Sequence, residues 1–142
     1  MSKRIRLRYL IQERDDRGGD GELVLSVYRD HGVVPKGSRD DNFNKTPQDL
    51  SLYKRVGKGD LVVNKMKAWQ GSLGVSDHEG AVSGDYLVCR VTSPEIDRRY
   101  LHQLLRSAPM VDQYRRRSTG IRPSQWRLYW EDMAPISVPF PD

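Results

Sequence analysis

A single cysteine, Cys89, stands in a chain of 142 residues. That excludes an internal disulfide framework and fits a reducing compartment, so a cytoplasmic location is expected. Cys89 ends the apolar run Tyr86-Leu87-Val88-Cys89 and reads as a buried small hydrophobe, not a reactive thiol. No apolar run approaches a membrane span, and Met1 to Arg8 is charged with no apolar stretch behind it, so neither a membrane partner nor a secretory leader is expected. His31, His78 and His102 lie far apart, and none has a Cys or His at metal-ligand spacing. No serine sits in a GxSxG elbow, and neither GxGxxG nor GxxxxGK(S/T) occurs, so no metal or cofactor of the chain's own is expected. A metal-dependent nuclease requires clustered carboxylates beside a lysine. Asp60 with Lys65 or Lys67 approaches that, but Asn64 stands where a second acid is needed. The expectation is a non-catalytic protein of one domain, long enough to bury roughly 70% of its unfolded surface without a staple.

What the chain does have is an uneven distribution of charge. Lys and Arg number 24 against 19 Asp and Glu, a net +5. The acids gather in Asp15-Asp16, Asp20, Glu22, Asp40-Asp41 and Glu131-Asp132; the bases gather in Lys3 to Arg8, Lys54 to Lys67 and Arg115 to Arg127. Sorting of this kind suits an anionic partner, nucleic acid first among them. An ordinary solvated surface accounts for the totals equally well.

There are no repeats, low-complexity tracts or linkers. Ile5, Leu7, Tyr9 and Ile11 alternate as in a half-buried strand, with a short helix as the other reading. Leu23 to Tyr28 reads as a strand, followed by a turn at His31-Gly32 and a short Val33-Val34 piece, and Pro35 to Lys45 as a long polar loop. Thr46-Pro47-Gln48-Asp49 opens a short helix with a cap, a first-turn proline and an acid at the dipole; Leu50 and Tyr53 would face inward. A meander follows, with strands near Asp60 to Lys65, Ser72 to Ser76 and Asp85 to Val91 and turns at Asp77 to Gly80 and Ser83-Gly84. Ile96, Tyr100, Leu101, Leu104 and Leu105 form the stripe of a helix over Ile96 to Arg106. Beyond Pro109, Met110, Val111 and Tyr114 continue that face in a second short helix, and Ile136 to Pro139 is a last strand. Strands and helices mix without a βαβ beat, so the class is α+β (irregular α/β), a twisted mixed sheet with a few short helices.

Three polar segments are candidate binding surfaces. In the first, Lys65 and Lys67 share one face of an extended strand by period two, with Trp69 in register. Asn64 and Gln70 flank them as amides able to pair with adenine in the major groove. Lysine supplies charge for phosphates and tryptophan a flat face for a sugar or base. The second segment carries Arg115, Arg116, Arg117, Thr119, Arg122 and Ser124; arginine pairs with guanine and also clamps phosphates. The third is the loop with Lys36, Ser38 and Arg39, long and polar as recognition loops are. Each also reads as a plain solvated surface, with Trp69 in the core and the arginines complementing a helix dipole.

The order of "VYRDHGVVPK", "DLSLYKRVGKGDLVVNKMKAWQGSLGVSDHEGAVSGDYLVCRV", a leucine-rich helix and "GIRPSQWRLYWEDMAPISVPFP" resembles the target recognition domain of type I restriction-modification specificity subunits. The resemblance runs from Leu23 to Pro141. It is carried by the succession of "GDLVVNKM", "QGSLGVS", "GAVSGDYLV" and "ISVPFP". The opening "KRIRLRYLIQERDDRGGD" looks like the entry segment of such a domain. The resemblance implies a module that reads double-stranded DNA and has no catalytic residues. In that family, two such domains alternate with helical spacers, and each reads one half of a split target. The spacers hold methyltransferase (modification) subunits, which use S-adenosylmethionine; a restriction subunit joins for cleavage. Family members run on into a spacer helix, commonly through a Glu-Gln pair, whereas this chain stops at Pro139-Phe140-Pro141-Asp142. The expectation is therefore one recognition domain over residues 1–142, a fragment or half-subunit without its spacer. The motif does not single out base-contacting residues, so the candidate contacts remain those argued above. A protein-interaction domain of the same fold and, further off, a metal-dependent nuclease are the alternatives.

Overall fold

The computed structural model describes residues 3–37, 49–120, 122 and 125–140. Among the described residues, ten short strands run in chain order as β1 (Lys3–Arg6), β2 (Ile11–Glu13), β3 (Leu25–Tyr28), β4 (Gly32–Pro35), β5 (Lys54–Val56), β6 (Leu61–Val63), β7 (Leu73–Val75), β8 (Gly80–Val82), β9 (Leu87–Val91) and β10 (Ser137–Phe140). The helices are α1 (Arg98–Leu105), α2 (Ala108–Arg117) and α3 (Trp130–Met133). Among the described residues, no helix is long and apolar enough to cross a membrane. This is the expected mixture of α and β.

β6 explains the architecture. Its three residues are all buried because both faces of the strand are covered. Leu61 and Val63 point into a large core with Leu73, Leu87, Cys89 and the inner faces of α1 and α2. Val62, on the opposite face by period two, joins a smaller core of Leu25, Val27, Val33, Val56, Val82 and Val88. β6 lies inside the antiparallel sheet β2-β9-β6-β7, flanked by two-stranded ribbons β1-β10, β3-β4 and β5-β8. Cys89 is fully buried, and burial pushes its thiol pKa well up, as its apolar setting predicts.

α1 and α2 follow the sequence pattern, whereas α3 was not expected from it. Asp97 caps α1 by accepting from the amides of Arg99 at 2.7 Å and Tyr100 at 3.3 Å, and Leu101 and Leu105 are buried. Pro109 lies in the first turn of α2, where its missing N–H costs nothing. The Tyr114 hydroxyl donates to the Leu105 carbonyl at 2.7 Å, fastening α2 to the end of α1.

Three local readings change. The entry segment is two strands rather than one: β1 pairs with β10 and β2 with β9. A 3-10 turn at Leu7–Tyr9 carries the chain between them, so Leu10 is buried and Tyr9 is 65% exposed. The meander is reordered, because β9 pairs with β6 on the side away from β7. Gly80, assigned to a turn, begins β8, and Lys54–Val56 is its strand partner. The start of the proposed short helix, Thr46 to Gln48, lies outside the described residues; Leu50 and Tyr53 are half-buried in turn structure.

Candidate nucleic-acid interface

The chain leaves β6 at Val63 and does not continue as a strand. Asn64 reverses it: its side-chain oxygen accepts from the Met66 amide at 3.1 Å, and its carbonyl accepts from the Lys67 amide at 3.0 Å. This is the local turn chemistry of asparagine. A single 3-10 turn, Ala68–Gln70, follows, and Gly71 closes the loop at φ 93, a left-handed conformation that favours glycine. The extended geometry expected for Lys65 and Lys67 is therefore replaced by a compact loop in which Lys65 is half-buried and Lys67 exposed. Asn64 itself is only 6% exposed. Its amide oxygen builds the turn, so the structure places it under the surface and not on it. Gln70 is exposed, and Trp69 is half-buried with its indole N–H donating to the Met66 carbonyl at 3.0 Å.

The second segment begins in the last turn of α2. Arg115 is exposed and makes no ion pair among the described residues. Arg116 pairs with Asp112 one turn back at 2.9 Å, with 70% of its side chain exposed, and the Arg117 Nε donates to Gln113 at 3.2 Å. The Ser118 hydroxyl donates to the Tyr114 carbonyl at 2.7 Å as the helix ends. Thr119 and Arg127 then pair antiparallel: the Thr119 amide donates to the Arg127 carbonyl at 3.1 Å, and the Arg127 amide returns the bond at 2.9 Å. Arg122 is exposed on the intervening bend. Ser124, Ser38 and Arg39 lie outside the described residues.

These two segments, far apart in sequence, are one surface in the fold. The Leu128 amide donates to the Lys65 carbonyl at 2.9 Å. The rings of Trp69 and Trp126 meet edge to face at 5.4 Å and 73°. The Lys65 ammonium lies 5.5 Å from the centre of the Tyr129 ring, a cation–π distance. Lys65, Lys67, Arg115, Arg116, Arg117, Arg122 and Arg127 thus belong to two adjoining segments. Thr119 sits at the hinge of the hairpin. Lys36 approaches from the third segment: it shares with Met66, Tyr53, Tyr86 and Asp85 the lining of a hollow of about 360 Å³. Exposed cations over such a surface suit phosphates, and guanidinium and amide groups suit base edges.

Sequence reasoning missed Trp126 and Tyr129 as parts of this surface; the available signal was a tryptophan in each basic segment. It also counted Lys54 with the basic cluster. Lys54 is 4% exposed, its ammonium donates to the Tyr86 carbonyl at 2.7 Å, and burial, then the charge of Lys65, lowers its pKa. Asp60, the carboxylate of the nuclease alternative, is engaged elsewhere. It accepts from the Arg14 guanidinium at 2.9 Å and from the Gly57 amide at 2.7 Å, holding the turn before β6.

The arrangement as a whole, a small antiparallel sheet with paired helices on one face and short ribbons around it, recurs in a solved structure. That structure is the HsdS subunit from Thermoanaerobacter tengcongensis, with a TM-score of 0.53 and 13% sequence identity. The likeness covers 99% of this chain and 33% of that one, so the chain spans about a third of that subunit's length. At this identity the likeness is one of fold. No family model matches the chain, and no curated protein is similar to it in sequence.

Proposed function

We propose that this chain recognises double-stranded DNA by sequence, as the target recognition domain of a type I specificity subunit. It reads one half of a split target and directs the methyltransferase and restriction subunits there. S-adenosylmethionine belongs to the modification subunit in this reading, and the chain itself performs no chemistry. The observation that carries it is the union of two basic segments, Lys65 to Gln70 and Arg115 to Arg127, through the Lys65–Leu128 bond and the Trp69–Trp126 contact. The fold likeness to an HsdS subunit supports it, as does the motif order of the sequence. The engagement of Asp60 with Arg14 and Gly57 argues against a nuclease.

Selection of bound duplexes from a random pool at low salt, with the purified chain, tests the reading. Enrichment of one short, fixed sequence is the expected result. Binding without enrichment would leave a basic surface without sequence readout. Absence of binding would overturn the reading in favour of a protein-interaction domain. A single domain on a half-site is expected to bind weakly compared with two tethered ones.

A further inference from the structure

Trp69 and Trp126 are each half-buried, one in each of the two segments of the proposed surface. Trp69 sits in the β6–β7 loop, with its N–H already given to Met66 and its ring against Trp126. Trp126 sits in the Thr119–Arg127 hairpin, which is closed by two backbone bonds between those end residues. Gly120 there lies so near the returning strand that a Cβ would stand 2.5 Å from the Gln125 carbonyl oxygen. So small a hairpin has little stability of its own in water. Its base is held by buried Leu128 and its bond to Lys65, and beyond that base it leans on Trp69 through Trp126.

We propose that Trp126 is a positioning residue: through Trp69 it locks the arginine-bearing hairpin to the lysine-bearing loop, so that both meet DNA as one rigid unit. This rests on the recognition reading above. It gives Trp69 a different role from the stacking platform that the sequence suggests: its ring is a clasp inside the protein. The contacts made by the two segments are then coupled, and loosening either tryptophan loosens both.

The experiment uses the whole chain with Trp69→Ala, Trp126→Ala, the double variant and Trp126→Phe. Amide hydrogen exchange needs no DNA. An edge-to-face aromatic pair contributes enough that exchange at Thr119 and Arg127 should accelerate about threefold to tenfold in each alanine variant. The Phe variant should stay near wild type, and the β6 amides should be unchanged. On a duplex recovered from the pool, each alanine variant should weaken binding by a similar factor, and the double variant by no more than either single one. Unchanged exchange at Thr119 and Arg127, additive losses in affinity, or acceleration spread through β6 would each overturn the proposal. A wild-type chain that binds no duplex overturns the recognition reading instead, and exchange alone then decides whether the clasp exists.

Discussion

Asp60 and His102 each hold backbone in place through a side-chain hydrogen bond, Asp60 at the Gly57 amide and His102 at the Val75 amide. Asp60, 6% exposed, joins Arg14 and the Gly57 amide. Replacing it with Ala would leave a half-buried guanidinium short of one partner and a turn amide unpaired. The expected loss is about 2–3 kcal/mol in urea unfolding. His102 accepts from the Val75 amide at 3.0 Å through Nδ1. Burial, then the neighbouring Arg106, lowers its pKa below the ordinary 6.5, against a smaller opposing effect of Asp77. The unfolded chain therefore takes up this proton first as pH falls. The contribution of His102 is complete above the unfolded value and is lost as pH drops toward the lowered folded one. Urea midpoints between about pH 7 and pH 5 should fall less steeply in His102→Gln than in wild type. None of this was legible in the sequence. Asp60, Asn64 and Lys54 are polar residues beside apolar runs, and only the fold shows which of them turn inward to a partner.

At the scale of elements, legibility followed length and coverage. β6 was visible as an unbroken apolar run because both its faces are buried, and α1 because of its apolar stripe; its Asp97 cap, which starts the helix at Arg98, went unread. β5 and β8 are as short as β6 but lack its apolar run: β5 is Lys-Arg-Val with its lysine buried, and β8 begins at a glycine that reads as a turn. Gly80 is nonetheless fixed by its surroundings, since a Cβ there would stand 2.2 Å from the Leu23 carbonyl oxygen. Gly80→Ala must push backbone away from backbone, and thermal unfolding should show a loss of about 1–3 kcal/mol. The β6–β7 loop was misread as strand because alternation of Lys65, Lys67 and Trp69 matches period two. Asn64 overrides it by bonding the Met66 amide from its own side chain.

For the whole molecule, the candidate site was legible in its parts and not in its assembly. The basic segments could be read off the chain, but their meeting depends on Leu128 finding Lys65. Salt dependence tests the assembled surface. Each phosphate neutralised contributes a slope of about 0.9 in log affinity against log salt, so Lys67→Gln and Arg115→Gln should each lower the slope by about one. Lys54→Gln, at a buried position, should cost stability and leave the slope alone. A slope unmoved by Lys67→Gln and Arg115→Gln would place the phosphate contacts elsewhere. β1 and β10 carry a different consequence. Lys3 lies opposite Phe140 in an antiparallel pair, where facing Cα atoms are about 5 Å apart. The described chain thus leaves beside the point where it enters. The two end strands therefore hold each other, and a substitution that frays β10 should open the β1 amides to hydrogen exchange as well.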